Sequence, residues 1–101
     1  MPRRISTPWA LVGAEQNGKV LKLAFSFGDG FDEHGARAQV TEARDQVTIA
    51  VTVPFDDTRE AYAAWLGTGH LGVTLDRELD DRDLLHGPTE VIEGGPFHVA
   101  D

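Results

Sequence analysis

Residues 20–27, VLKLAFSF, carry the pattern on which the fold prediction rests. Large apolar residues alternate there with smaller or polar ones, and every second side chain of a β-strand points to the same face. One face of this strand is therefore suited to a buried core. The apolar set is Leu21, Leu23, Phe25 and Phe27.

A turn signal stands directly before this strand. Asn17-Gly18 is the strongest short hairpin signal, because a type I′ turn needs positive φ at both central positions. Working outward from it, we predict a hairpin of strands at about 8–15 and 19–27.

A second hairpin is predicted from ARAQVTEA, residues 36–43, and QVTIAVTV, residues 46–53. β-branched residues alternate through the latter and fit a pleated, half-buried surface. Pro54 is expected to end that strand, since proline cannot donate to a ladder. The inward-facing residues would be Val47, Ile49, Val51 and Val53.

After Pro54 the apolar residues no longer alternate every second position but follow helical spacing, and one short helix is predicted near 58–66. Asp57 would be its N-cap, with Glu60 three residues on, and Gly67 would follow its end. The helix would lay an aromatic stripe over the sheet. Its apolar positions at i, i+3 and i+4 are Tyr62, Trp65 and Leu66.

The remaining chain predicts two further strands. In HLGVTLD, residues 70–76, the side chains of Leu71, Val73 and Leu75 would lie on one face of a strand. One more strand is expected after residue 83. The fold class is mainly β: an antiparallel sandwich or partly open barrel of about 6 strands built from hairpins. Residues 1–101 form a single domain, with 1–7 and 95–101 as flexible ends.

Composition narrows the classes of function. Seventeen acidic residues against nine basic ones give a formal net charge of -8, which disfavours nucleic acids and anionic lipid surfaces. No apolar run approaches the roughly 20 residues that span a bilayer, and no apolar signal core follows the N-terminus. With no cysteine, a disulfide, a thiol nucleophile and a zinc–thiolate site are excluded. A cytoplasmic location is the default expectation.

GDGFDEHG, residues 28–35, is the stretch that most suggests chemistry. A calcium loop of the EF-hand type needs alternating carboxylates and flanking helices, and this spacing does not supply them. We favour a glycine-rich bend kept in solvent by its acidic groups, with weak cation binding as the alternative. Three further histidines, His70, His86 and His98, lie elsewhere, and no cofactor is expected. The weak metal candidates are Asp29, Asp32, Glu33 and His34.

LDRELDDRD, residues 75–83, holds five carboxylates and two arginines. It could be an acidic surface for a basic partner, a carboxylate pair for acid–base chemistry, or a solvated turn. We favour the turn, with Arg77 and Arg82 offsetting neighbouring acids and with Leu79 and Leu84 as anchors. The possible interaction surface consists of Asp76, Glu78, Asp80, Asp81 and Asp83.

Motifs of catalysis are missing from the sequence. It contains no Gly-x-Ser-x-Gly, no phosphate loop of the form Gly-x-x-x-x-Gly-Lys-Ser/Thr and no His-Glu-x-x-His. Trp9, Tyr62 and Trp65 could line a ligand pocket, but in so small a domain we assign them to the core. We therefore expect no enzyme.

The order of features resembles a group of small actinobacterial β-rich domains of unknown function. The resemblance covers about residues 8–87 and rests on PWALVGAEQNGKVLKLAFSFGDG, ARAQVTEARDQVTIAVTV and GVTLDRELDDRDLLHG. Members commonly carry cysteines in the glycine-rich loop and before the last long strand, and many look exported. Here Phe31 and Trp65 lie in those regions. The resemblance implies a fold. We hypothesise from it that apolar contact replaces a disulfide, with Phe31 or a neighbour packing near the helix of Tyr62 and Trp65, and we expect Phe31 to point inward.

The function expected from these observations is a protein-interaction or binding module with an acidic surface, whose unknown protein partner carries a basic patch. The alternative is a small-ligand or metal-binding protein with its site between the 28–35 loop and the 54–70 connection. A third reading is self-association through an exposed strand edge.

Overall fold

A computed structural model describes residues 3–56 and 58–87 and confirms a mainly β fold of two sheets without a closed barrel. The strands are β1 (Arg3–Thr7), β2 (Trp9–Glu15), β3 (Val20–Gly28), β4 (Arg37–Glu42), β5 (Gln46–Phe55), β6 (Leu66–Thr74) and β7 (Asp83–His86). The helical residues described are two 3-10 turns, Gln16–Gly18 and Glu33–Gly35.

The first sheet is built around β5, the longest strand. β4 pairs antiparallel with one edge of β5, and β1 and β7 share the opposite edge end to end. β1 is antiparallel to residues 51–55, whereas β7 is parallel to residues 46–49. Among the described strand pairs, β5 and β7 form the parallel exception to the predicted antiparallel arrangement, and β7 reaches this sheet by a crossover from the other one.

The second sheet has the order β2-β3-β6, with both pairs antiparallel. A bulge between Leu11 and Gly13 shifts the register of β2 on β3, while β6 pairs with β3 along its whole length. Pro8 alone separates β1 from β2, so the chain passes from one sheet to the other within one residue.

The core lies between the two sheets and contains the predicted alternating residues. The β5 set is completely buried, and β3, β6 and β1 contribute the remainder. Its fully or nearly fully buried apolar members are Ile5, Leu21, Leu23, Phe25, Val47, Ile49, Val51, Val53, Phe55, Val73 and Leu75.

The β2–β3 hairpin is confirmed, with a turn somewhat longer than predicted. Gln16, Asn17 and Gly18 all have positive φ, at 52°, 57° and 85°. Glycine and asparagine adopt this region at the least steric cost, which explains why the Asn-Gly pair marks the turn.

The helix predicted near 58–66 is wrong. Residues 58–65 form an irregular connection, and β6 already begins at Leu66; Asp57, the predicted cap, lies outside the described residues. The aromatic residues explain the difference, because Tyr62 packs on Phe55 of the first sheet whereas Trp65 packs on Phe27 of the second. A helical stripe would have placed both rings on one surface.

Two predictions about strand ends are also corrected. Residues 3–7 form β1 rather than a flexible end, with Ile5 and Thr7 buried; the end predicted at 95–101 lies outside the described residues. Pro54 does not end β5, which continues to Phe55. Because the Ala43 N–H bonds to the Gln46 carbonyl, the even-numbered residues of β5 direct their backbone N–H and C=O groups toward β4. Pro54 is even-numbered, but β4 begins at Arg37, opposite Thr52, so no residue of β4 lies opposite Pro54. The missing N–H of proline therefore costs no hydrogen bond between these strands.

Candidate functional site

The predicted acidic surface lies on the crossover between β6 and β7, which we call the acidic segment (residues 75–83). Its backbone is attached to the β2–β3 hairpin at two points. The Leu75 N–H donates to the Lys19 carbonyl at 2.8 Å, and the Leu79 N–H donates to the Gly18 carbonyl at 3.1 Å. The segment therefore covers one end of the sandwich.

Arg82 holds the acidic segment together from inside. The residue is only 5% exposed, and its guanidinium donates to three carbonyls of the segment itself. These acceptors are the carbonyls of Arg77 at 3.0 Å, Glu78 at 2.9 Å and Leu79 at 3.3 Å. A planar guanidinium with five N–H donors suits several acceptors that converge on one point. The side chain thus fixes the path of the backbone.

The same guanidinium connects the segment to the β4–β5 hairpin. It donates to the Ala43 carbonyl at 3.3 Å and to Glu42 Oε1 at 3.1 Å. The other carboxylate oxygen of Glu42 accepts from the Asp76 N–H at 2.7 Å. The Asp76 N–H, and after it Arg82, hold the pKa of Glu42 below its ordinary value, against the opposing effect of burial.

All five predicted acidic side chains are exposed at the surface of this braced segment. Within the part of the chain that the structure describes, none of the five forms an ion pair. The prediction that both arginines offset these acids is wrong: Arg82 pairs with Glu42, and Arg77 donates to the Arg44 carbonyl at 3.0 Å. The anchoring prediction is confirmed, since Leu79 and Leu84 pack against the core.

Asp80 occupies the turn of the acidic segment with φ of 54°. Aspartate and asparagine tolerate this left-handed region better than most residues. Next to it, Lys19, Asp76, Arg77 and Glu78 line an open cleft of about 380 Å³ together with Asp80. Lys19 and Arg77 therefore contribute the positive charge at this otherwise anionic surface.

The 28–35 loop does not gather its predicted metal candidates. Asp29 forms an ion pair with Arg59 and accepts from the Ala63 N–H at 2.8 Å. Asp32 accepts from the His34 N–H at 3.1 Å, while Glu33 and His34 lie exposed on a 3-10 turn. Across residues 3–56 and 58–87, no three His, Asp or Glu side chains are grouped as metal ligands.

Asp29 instead fastens the 56–65 connection to the loop. The Ala63 N–H and then Arg59 hold the pKa of Asp29 below its ordinary value. Sequence reasoning missed this role because Arg59 and Ala63 lie about thirty residues further along the chain. The same holds for Glu42, whose partners are Asp76 and Arg82.

Aromatic rings fill the space in which a ligand site was considered as an alternative. The Phe31 and Phe55 rings lie 5.0 Å apart, and the Phe55 and Tyr62 rings 5.1 Å apart. Gly30, with φ of 88°, passes so close that a Cβ there would come within 2.8 Å of the Tyr62 ring. Phe31 belongs to this cluster and packs against the core, so its predicted inward position is confirmed, whereas the Trp65 ring packs on Phe27 of the other sheet.

The two tryptophans have different surroundings. Trp9 stacks on His86 at 4.8 Å and donates its indole N–H to the Ile49 carbonyl at 2.8 Å. The Trp9 backbone N–H donates to His86 Nε2 at 2.9 Å. Trp65 is 45% exposed, so the assignment of its side chain to the core is wrong, although its ring meets Phe27 edge-on.

Comparisons of the chain with protein-family models, with curated proteins and with solved structures each found no match. In residues 3–56 and 58–87, no helix has the length and apolar character required to cross a bilayer. The candidate interaction surface therefore rests on the geometry of the acidic segment.

Proposed function

We propose that this chain is a protein-interaction module that binds a basic partner through the acidic segment. The observation that carries the proposal is the combination of a fixed backbone with unneutralised charge. Arg82 braces the segment from within, while five carboxylates stand exposed around it without an ion pair to any described residue. The role is one of binding rather than catalysis.

Preorganisation supports this role. A surface whose backbone is already ordered loses less conformational entropy on binding than a mobile acidic loop would. Complementary charge chiefly raises the association rate and selects the partner, and salt weakens it. A partner with several arginines or lysines therefore suits the segment.

The test is a titration of the protein with a fluorescently labelled decaarginine peptide, followed by anisotropy at several salt concentrations. One variant carries Glu78→Gln, Asp80→Asn and Asp81→Asn. Its matched control carries Asp32→Asn, Glu33→Gln and Glu60→Gln, which are exposed carboxylates away from the acidic segment. Both variants change the net charge by the same three units, so they differ only in where the negative charge is removed.

We expect the segment variant to bind the probe at least tenfold more weakly than the control variant at low salt. Asparagine at position 80 preserves the left-handed turn, so the backbone of the segment is retained. Equal affinities of the two variants would show that the probe responds only to net charge, and the proposal would be abandoned.

A further inference from the structure

The outer edge of β6 is open in the part of the chain that the structure describes. The Leu75 N–H bonds to the Lys19 carbonyl, one step beyond the Val20–Thr74 pair, so odd-numbered residues of β6 bond to β3. Even-numbered residues consequently turn their backbone N–H and C=O groups away from β3. No described residue bonds to these outward groups, which belong to Leu66, Thr68, His70, Gly72 and Thr74.

The other outer edges carry features that discourage pairing, and β6 carries none. On one edge of the first sheet, β1 and β7 are short and bear Arg3, Arg4 and Asp83. β2 is interrupted by its bulge at Leu11/Gly13, and its first N–H is already bound to His86. β4 is short and bears Arg37 and Glu42 at its ends. β6 extends over nine residues, LGTGHLGVT, with no formally charged residue, no proline and no bulge.

We propose that two copies of this chain associate through β6, antiparallel about a two-fold axis at His70. This register places His70 opposite its own copy, Thr68 opposite Gly72 and Leu66 opposite Thr74. Every outward N–H then faces an outward carbonyl across the axis. The product is a continuous six-stranded sheet in the order β2-β3-β6-β6-β3-β2.

Charge favours the antiparallel arrangement of the two copies over the parallel one. The acidic segment begins directly after β6, so a parallel pair would place two such segments side by side in a chain of net charge -8. In the antiparallel pair they lie at opposite ends of the joined strands, about 30 Å apart for nine residues. The strand itself brings no like charges together across the axis.

The first experiment measures the mass of the full chain by sedimentation equilibrium from about 1 to 500 μM. The disruptive variant is Gly72→Lys, because a Cβ at Gly72 meets nothing within 4 Å and a lysine protects natural strand edges. The matched control is Gly13→Lys on the bulged edge of the same sheet, where a Cβ makes only ordinary contacts, 3.6 Å at the nearest.

We expect wild type and Gly13→Lys to form dimers with the same dissociation constant, and Gly72→Lys to remain monomeric to at least tenfold higher concentration. Circular dichroism of each variant verifies that it is folded. A wild type that is monomeric throughout, or equal dimerisation of the two variants, would overturn the proposal.

The second experiment uses the absence of cysteine from the chain. His70→Cys places one thiol on the axis, with the two Cα atoms about 5.5 Å apart, which is within the range that a disulfide bridges. In a glutathione redox buffer at about 50 μM protein, we expect a covalent dimer of His70→Cys. Val12→Cys, which is exposed on β2, should stay monomeric. Equal cross-linking of both would contradict the register.

Salt separates this inference from the proposed function. Added salt screens the repulsion between two acidic chains and should strengthen the dimer, whereas it should weaken binding of decaarginine to the acidic segment. Either result stands or fails without the other.

Discussion

Arg82 Nη1 donates to Glu42 Oε1 at 3.1 Å and so joins the acidic segment to the β4–β5 hairpin, 40 residues earlier in the chain. The Arg82 side chain is 2% exposed and that of Glu42 17%. Two charges so sheltered from water depend on each other, because either one alone would be left without its counter-charge. The pair therefore helps to hold the acidic segment against the β4–β5 hairpin.

Removing the arginine should destabilise the protein strongly. We expect Arg82→Met to lower the free energy of unfolding by about 3–5 kcal/mol, since it removes the counter-charge of Glu42 and leaves Glu42 Oε1 and several carbonyls without their guanidinium donor. Urea denaturation measures the loss. The comparison is Lys22→Met, which breaks the exposed pair with Glu15 and should cost only about 0–1 kcal/mol. Similar losses in the two variants would contradict a bracing role for Arg82.

The stability should depend on the ionisation of Glu42. Because the folded-state pKa of Glu42 lies below its ordinary value of 4.5, the carboxylate stabilises the fold above that value. This contribution is lost as the pH falls through the folded-state pKa. We expect the difference in unfolding free energy between wild type and Glu42→Gln to be largest near pH 7 and to shrink below about pH 4.5. A difference that does not change between pH 7 and pH 3 would contradict this assignment.

Gly69 should not tolerate a side chain. A Cβ there would clash with the Phe25 ring, which is buried and cannot move aside freely. We expect Gly69→Ala to cost about 1–3 kcal/mol as overpacking, measured by thermal or urea unfolding. Gly72→Ala on the same strand should change stability by less than about 0.5 kcal/mol, because the space is open.

A substitution at Phe25 tests whether its ring is what excludes a side chain at position 69. Leucine at position 25 lacks the distal ring atoms, so Gly69→Ala should cost less in a Phe25→Leu background than in wild type. If the costs are equal, the ring is not what excludes the alanine.

Phe31 and Phe55 should be energetically coupled. Their rings lie 5.0 Å apart, and aromatic pairs contribute about 0.5–1.5 kcal/mol beyond the area they bury. A double-mutant cycle with Phe31→Ala and Phe55→Leu should give a coupling energy in this range. Phe31→Ala with Leu84→Ala serves as the reference, since Leu84 pairs with Val47 near the far end of β5. Coupling of equal size in both cycles would argue against a specific ring contact.

The alternating strands were predictable because burial enforces their period. Leu21, Leu23 and Phe25 face the core, and so does the β5 set, since a two-residue period leaves no other face for them. The Asn17-Gly18 turn was predictable for a local reason as well, because few residues adopt positive φ.

The connection at 58–65 was not predictable from its own sequence. Tyr62 and Trp65 have helical spacing, yet the two rings are drawn to different sheets, and the Ala63 N–H is taken by Asp29. These partners lie far away in sequence, so local periodicity favoured a helix that tertiary contacts exclude.

The acidic residues of the candidate site were predicted from the sequence, but the contacts that hold their backbone in place were not. The five exposed acids of the acidic segment could be read from the sequence, whereas nothing local distinguished Arg82 from Arg77. Their different roles follow from burial, because Arg82 lies under the segment and Arg77 lies on it. Glu42 gave no signal, since it occupies an ordinary strand end.

The stack of Trp9 on His86 bears on the order in which the chain can fold during synthesis. β7 is the last strand described, and it covers the edge of β5 at Val47 and Ile49. Until it leaves the ribosome, that edge is open and the Trp9 N–H lacks its acceptor on His86. The first sheet therefore cannot be completed from its hairpins alone, because it needs β7, which is synthesised after every other described strand.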